Sequence, residues 1–355
     1  MLEQGSNRST VNVAVVGVGA VGELMLRVLH ERNFPAKSIK VLARTPRTIQ
    51  VDGRSYDVET ASAEAFDGID IALFAGTEGE KGAAVVFGEE AVKRGAIVID
   101  NGDDFRMRPD VPLVVPEVNG DALAGHHGII ANPNCSTAGL VMALKPLHDA
   151  GRLTRVMVST YQSVSGAGGG GPRELMAQVK SVAEGGKPEP VSQFAVPIYA
   201  NVIPQIGRFD ENGYTSEEMK LVRETHKILG DASIKITPMV AARVPVMVSH
   251  CESVYVETER PISPAQARDL WSKFPNVRVI DDPSVAAVDP ASAWPTPVQC
   301  AGSDVTFIGR VRQDVGNPHG LVFWLVSDNL RKGAATNAVQ IAEALLERGL
   351  VGKGN

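Results

Sequence analysis

The chain of 355 residues has few cysteines, no excess of positive charge and no long apolar run, and each shortage excludes something. Its three cysteines, Cys135, Cys251 and Cys300, are odd in number, far apart and free of CxxC spacing. That argues against a disulfide framework and a thiolate metal site, so no metal is expected and the thiols read as free. A net charge of -6 leaves no basic footprint for nucleic acid. The longest apolar runs, such as "GLVFWLV" near Leu321 and "LVMALKPL" near Leu140, fall far short of the roughly 20 residues of a membrane span. The leading "MLEQGSNRST" is polar without an apolar core, so it reads as a frayed tail rather than a signal peptide, and a cytoplasmic location is expected.

What is present is a rhythm. From Val11 to about Pro133, short apolar runs ("VNVAVVG", "IKVLAR", "DIALFAG", "AIVIDN") alternate with helical segments ("GELMLRVLHER", "EEAVKRG"). Unbroken apolar strands separated by helices predict a parallel sheet covered on both faces, an α/β doubly wound architecture. After Cys135 the strands lengthen and alternate: "RVMVSTYQSVS", "ARVPVMVSHCESVYVE", "DVTFIGRVRQD", "GLVFWLVSDN". That texture predicts an antiparallel sheet, its last pair joined by the turn signal "VGNPHG". The closing "GAATNAVQIAEALLERG" sets Ala338, Ile341, Ala342 and Leu345 on one helical face, which is expected to pack back on the first domain. The expected boundaries are a dinucleotide-binding domain over 11–133, completed by 329–349, and a second domain over 134–328.

Gly17, Gly19 and Gly22 stand at GxGxxG spacing after a strand and at the opening of a helix, where a pyrophosphate is held. The second strand ends in "VLARTPRT", with Arg44, Thr45 and Arg47 where an NAD site carries an acidic residue, which favours NADP(H). Cys135, at a strand-to-helix junction in "NPNCSTAGL", is the best nucleophile on offer, because helix-terminal N–H groups favour a thiolate. Cys251 and Cys300 read as inert buried thiols. His250 is the candidate proton acceptor, with a hydrogen-bonded core histidine as the alternative. Arg243, seven positions earlier, would face opposite His250 on a regular strand, a regularity that Pro245 between them can break. His126 and His127 form a loop tip with too few ligands for a metal. Thr215 and Glu218 form a T-x-x-E capping box, which leaves Glu217 and Lys220 as a surface ion pair by the simplest reading. The turn "SGAGGGGP", Ser165 to Pro172, sits between a strand and a helix and reads as functional.

Several stretches in order, "GVGAVGELMLRVL", "IVIDN", "FRMRPDVPLVVPEVN", "NPNCSTAGLVMALKPLHDAG", "STYQSVSGAG", "YTSEEMKLVRETHKIL" and "SDNLRKGAATNAVQIAE", make the chain resemble the aspartate-β-semialdehyde dehydrogenase family from Val11 to Gly349. The resemblance implies a Rossmann-type domain plus a second α/β (α+β) catalytic and dimerisation domain of the glyceraldehyde-phosphate-dehydrogenase-like type. It implies NADPH-dependent reductive dephosphorylation of L-aspartyl-4-phosphate through a cysteine thioester, toward lysine, threonine and methionine, in a homodimer or homotetramer. By the same resemblance Cys135 is the nucleophile, Gln162 orients it and His250 is the acid/base group. Arg243 binds the substrate α-carboxylate, Glu217 its amino group, and Arg106, Lys220 and Asn134 the phosphate. Cofactor contacts fall on Gly17, Gly19, Ala20, Val21, Gly22, Arg44, Thr45, Thr77, Ser165, Gly166, Gly168 and Asn329. A thiohemiacetal oxyanion is expected to meet backbone N–H groups at the start of the helix after Cys135. Two departures stand out: "GTEGEKGAA" around Thr77, with Glu78 and Glu80, and Gly102–Asp103, where serines are usual in the family. The rivals are an N-acetylglutamyl-phosphate reductase and a Rossmann scaffold without turnover.

Overall fold

The computed structural model describes residues 10–76, 82–189 and 191–352. The chain forms two compact units: one runs to Pro133 and resumes at Ala335, the other is Asn134–Ala334. The return thus falls at Ala335 rather than Asn329. Asn329 stays with the second unit because Ser163, Ser165 and Ser249 all hydrogen-bond to its side chain.

The first unit carries β1 (Val11–Val16), β2 (Ala36–Ala43), β3 (Arg47–Val51), β4 (Arg54–Thr60), β5 (Ile71–Phe74), β6 (Ile97–Asp100) and β7 (Ile129–Ala131), in the order β3-β4-β2-β1-β5-β6-β7. All neighbours pair in parallel except β3 with β4. The central strands β5 and β6 are buried along their whole length, as a sheet covered on both faces requires. The chain steps from β1 outward to β2, then crosses to β5 on the other side of β1, so a topological switch point lies at the C-terminal end of β1. Helix α1 (Ala20–Glu31) starts there and buries Met25, Leu26, Val28 and Leu29 at helical spacing. Helix α2 (Ala83–Lys93), the single turn α3 (Pro116–Asn119) and the C-terminal helix, Thr336–Glu347, complete the unit. Ala338, Ile341, Ala342 and Leu345 of that last helix are fully buried in the same core as Val13, Val15, Ile71 and Leu73, as the sequence pattern predicts.

The second unit holds α4 (Cys135–Gly151), β8 (Leu153–Gln162), α5 (Gly170–Ala183), α6 (Ser216–Leu229), β9 (Lys235–Arg243), β10 (His250–Thr258), α7 (Pro264–Lys273), β11 (Val277–Val279), β12 (Thr306–Gln313) and β13 (Gly320–Ser327). Its sheet runs β11-β12-β13-β10-β8-β9. The centre is antiparallel, and β12–β13 is the expected hairpin, but both ends pair in parallel, so the sheet is mixed. Helices α5 and α6 lie in the crossover from β8 to β9, which lets those two strands run the same way. Leu140, Ala143, Leu144 and Leu147 of α4 pack on Val156, Val158, Val254, Val256 and Phe323. Each of these buried leucine, valine and phenylalanine side chains stabilises by roughly 1.5–3 kcal/mol, and this contact fixes α4 against the sheet. The run "ARVPVMVSHCESVYVE" is not one strand: β9 ends at Arg243 and β10 begins at His250.

Candidate active site

Helix α4 begins at Cys135 because Asn134 caps it, its Oδ1 accepting from the N–H groups of Ser136 at 3.0 Å and Thr137 at 3.4 Å. Two of the helix-terminal donors expected to hold an oxyanion are therefore already engaged. Asn134 is itself fixed on both flanks: its N–H donates to Glu224 Oε2 at 2.7 Å and its Nδ2 to Glu217 Oε1 at 2.8 Å. Glu224 escaped the reading of the sequence. The signal was available, since Glu217, Leu221 and Glu224 recur at the i, i+4, i+7 spacing of one buried helix face.

Glu217 is not a surface residue. It is buried and accepts from Asn134, from Gln162 Nε2 at 3.1 Å and from Lys220 Nζ at 3.5 Å. Burial pushes its carboxyl up, but Lys220, the two amide donors and the Arg243 charge outweigh burial and hold it below the ordinary carboxylate value. The capping box beside it is real: Thr215 Oγ1 accepts from Glu218 N–H at 3.3 Å, and Glu218 Oε2 accepts from Thr215 N–H at 2.7 Å.

Cys135 Sγ lies 3.2 Å from His250 Nε2. The other ring nitrogen, Nδ1, accepts from the Ser163 backbone N–H at 3.1 Å. A backbone amide can only donate, so Nδ1 is the acceptor and the neutral imidazole carries its proton on Nε2, facing the sulfur. Burial, then the Arg243 charge, pushes His250 well below the ordinary imidazole value. It is thus a neutral donor rather than a standing cation. Ser249, just before it, takes a left-handed φ of 77° while fully buried, with its N–H on Asn329 Oδ1 at 3.0 Å. That strained residue ends the turn that separates β9 from β10, and it brings Arg243 and His250 into one pocket despite their odd spacing. Arg243 is buried, donates from Nη1 to Ser163 O at 2.7 Å and lies 5.9 Å from the Phe194 ring centroid. Ser165 and Asn329, expected as cofactor contacts, are buried and bonded to each other. Gly168 takes a positive φ of 71°, and Gly166 borders Arg243 and His250. Cys251 and Cys300 are buried thiols, each pushed up to about 12 chiefly by burial, in keeping with the inert reading.

In the first unit Gly17 takes a φ of 93°, and a Cβ at Gly22 would fall 1.8 Å from Gly17 O. Only glycine fits either place. Gly19 caps α1 without a side-chain bond, so the N–H groups near Ala20 and Val21 point out of the helix unmet by a cap, which suits a pyrophosphate. Arg44 and Thr45 are exposed just beyond β2. Thr77, Glu78 and Glu80 lie outside the described residues. Arg106 is buried, donating to Asn132 O at 2.9 Å and Asn101 O at 2.8 Å. Burial raises nearby Asp100 to about 6, opposed by the Gly102 N–H and by Arg106. Among the described residues no cluster of three or more metal-ligating side chains occurs, and no helix is long and apolar enough to cross a membrane.

A doubly wound sheet with a glycine-rich first turn, followed by a unit that sets a cysteine beside an imidazole, defines a class: dinucleotide-dependent dehydrogenases of two domains. Comparison is more specific. Residues 12–126 match the semialdehyde dehydrogenase NAD binding domain and residues 144–332 the semialdehyde dehydrogenase dimerisation domain. The chain is 45% identical to the aspartate-semialdehyde dehydrogenase of Aquifex aeolicus, over 96% of its own length and 99% of that protein's. It is 46% identical to that of Legionella pneumophila, over 94% and 95% of the two chains. A crystal structure of aspartate semialdehyde dehydrogenase II from Vibrio cholerae, complexed with ASA, superposes with a TM-score of 0.89 at 42% identity, covering 96% of this chain and 99% of that one. The chain belongs to the aspartate-semialdehyde dehydrogenase family.

Proposed function

We propose that the protein catalyses the NADPH-dependent reductive dephosphorylation of L-aspartyl-4-phosphate to L-aspartate-4-semialdehyde, in the cytoplasm, on the route to lysine, threonine and methionine. The observation that carries this reading is the Cys135–His250 contact of 3.2 Å, with Glu217 and Arg243 buried in the same unit. The thiolate of Cys135 attacks the acyl carbon, the C–O bond to phosphate breaks and a thioester remains. By the resemblance the departing phosphate is met by Arg106, whose Nε and Nη2 donate to Asn132 O and Asn101 O, by the point charge of Lys220 and by a hydrogen bond from Asn134. Phosphate needs one proton from solvent at neutral pH. The nicotinamide, when bound, supplies the hydride that reduces the thioester. His250 Nε2–H hydrogen-bonds to the thiohemiacetal oxyanion while keeping its proton, and collapse of that oxyanion re-forms the carbonyl, breaks the C–S bond, frees the aldehyde and restores the thiolate. By the resemblance Gln162 orients the nucleophile Cys135; its Nε2 donates to Glu217 Oε1 at 3.1 Å.

Substrate choice follows from the same charges. The guanidinium of Arg243 suits an α-carboxylate, and Glu217, held ionised, suits a free α-ammonium. An acetylated amine has no charge to meet Glu217, which weighs against the N-acetylglutamyl rival. The cofactor would be held by residues among Gly17, Gly19, Ala20, Val21, Gly22, Thr77, Ser165, Gly166, Gly168 and Asn329, as the resemblance implies. Arg44 and Thr45 suit a 2′-phosphate, since β2 ends without an acidic residue. The test is phosphate-dependent reduction of NADP and NAD with aspartate semialdehyde and with N-acetylglutamate semialdehyde, for wild type and Cys135→Ala. Wild type is expected to use aspartate semialdehyde with NADP, and the variant to lose at least ~10³-fold in kcat. Turnover of the acetylated aldehyde alone, or an active Cys135→Ala, would overturn the proposal.

A further inference from the structure

Two glycines flank the thiol–imidazole pair, and each stands where a side chain would collide with it. A Cβ built on Gly333 would lie 2.8 Å from Cys135 Cβ, 3.1 Å from its Cα and 3.2 Å from its carbonyl oxygen. Those atoms sit on or next to the backbone of α4 and cannot swing aside. Gly333 is held there by a wide helical turn, Arg331–Ala335, in which its N–H donates to Asp328 O at 3.1 Å, five residues back. Such turns are rare and cluster at functional sites. On the opposite side, a Cβ on Gly166 would lie 2.7 Å from Arg243 Nη1, 3.1 Å from His250 Cε1 and 3.2 Å from His250 Nε2. That Nε2 is the atom facing Cys135 Sγ. Neither glycine is needed for its φ, since neither takes a left-handed conformation. Absence of a side chain is therefore the property both positions require.

We infer that Gly333 and Gly166 are positioning residues: one lets the sulfur-bearing carbon settle against the wide turn, the other lets the imidazole and guanidinium settle against the glycine-rich turn. Together they set the separation between Sγ and Nε2. The inference deepens the proposed thiol chemistry and rests on it for the roles of Cys135, His250 and Arg243. Ordinary contact begins at 3.4 Å, so alanine at 333 moves Cys135 Cβ, or the turn, by about 0.6 Å. Misplacements on the scale of 1 Å cost ~10²-fold in rate.

The experiment compares wild type, Gly333→Ala, Gly166→Ala and the control Gly316→Ala, where a new Cβ meets nothing closer than 3.9 Å. Two readouts are taken: alkylation of Cys135 by iodoacetamide in cofactor-free protein across pH, and steady-state turnover. Gly333→Ala is expected to lower kcat by ~10- to 100-fold with KM for the semialdehyde within ~3-fold, and its alkylation profile should move toward that of free cysteine. Gly166→Ala should show the same change in alkylation, together with a raised KM from the displaced Arg243. Gly316→Ala should match wild type. The new methyl of Gly166→Ala meets only the ends of side chains, so this variant keeps the test open if Gly333→Ala does not fold. A folded Gly166→Ala that alkylates like wild type overturns the inference, and so does a folded Gly333→Ala with unchanged kcat. Alkylation needs no substrate, so a wild type inactive on aspartate semialdehyde would sink the substrate assignment alone.

Discussion

Glu217 and Glu218 are neighbours on one helix with opposite local signatures. Capping rules assign Glu218 at once and leave Glu217 as a surface acid, while the fold buries both. What no local rule supplies is the partner set of Glu217, which comes from Asn134 and Gln162, far away in the chain. His250 teaches the same lesson about protonation. Its imidazole is recognisable in the sequence, but the tautomer is set by the Ser163 amide and the neutral state by burial and Arg243. A pH prediction follows. In the unfolded chain a histidine takes up a proton near pH 6.5, whereas folded His250 stays neutral well below that. The unfolded state then binds more protons as pH falls, so stability is retained above about 6.5 and lost progressively below it. Urea unfolding of wild type and His250→Gln at pH 7 and pH 5 measures this. Wild type should lose more stability on acidification than the variant, and equal losses would show that His250 titrates normally in the fold.

At the level of elements, the parallel sheet is legible because strands buried on both faces are unbroken apolar runs. The β3–β4 hairpin carries no apolar signal because its strands are mostly exposed and polar, although Asp52–Gly53 at its tip, both with positive φ, is the residue pair that such a two-residue turn demands. The mixed character of the second sheet was hidden for another reason: strand direction depends on what the crossover contains, and alternation along a strand says nothing about it. The break between β9 and β10 is announced by Pro245, which lies in it, but the left-handed Ser249 that ends it is not. Helix α6 shows an element whose start is fully local and whose placement is not. Glu218 closes the capping box with Thr215 and also accepts from Ala241 N–H of β9 at 2.9 Å. Thr215→Ala is expected to cost about 1 kcal/mol in urea unfolding, with kcat/KM within ~3-fold, because Leu221 and Ile228 still pack the helix down. A large loss of activity without loss of stability would instead mean that the cap acts on the chemistry.

On the scale of the whole molecule, the second sheet has one face under α4, and its other face is covered at one end by the segment around Pro295 and Cys300, which packs on Trp324, Val326, Cys251 and Phe307. Alternation sends Met157 of β8, Met239 of β9, Tyr255 of β10 and Val322 of β13 to that outer face, where with Arg155 and Ser159 they line a shallow cavity of about 450 Å³. Beside it, Tyr161 and Trp324 place their ring centroids 5.7 Å apart. The face is mixed: Met157, Met239, Tyr255 and Val322 share it with the paired Ser159 and Ser253 and with Arg155 and Glu257, so apolar side chains lie exposed or half-buried among polar ones, as on a surface that a partner covers. This is the part of the chain that matches the dimerisation domain. The sequence held the alternation but not its meaning, since which set of residues faces inward is decided only when α4 docks. Light scattering is expected to give a mass near twice the 37.7 kDa of one chain. Met157→Asp places a charge in the middle of the face without touching α4. A stable dimer would have to bury that charge unpaired, at a cost of several kcal/mol, so the variant should run as a folded monomer with the circular dichroism of wild type. Should it remain dimeric at micromolar concentration, the two copies meet through a different surface and the apolar side chains of the outer face need another explanation.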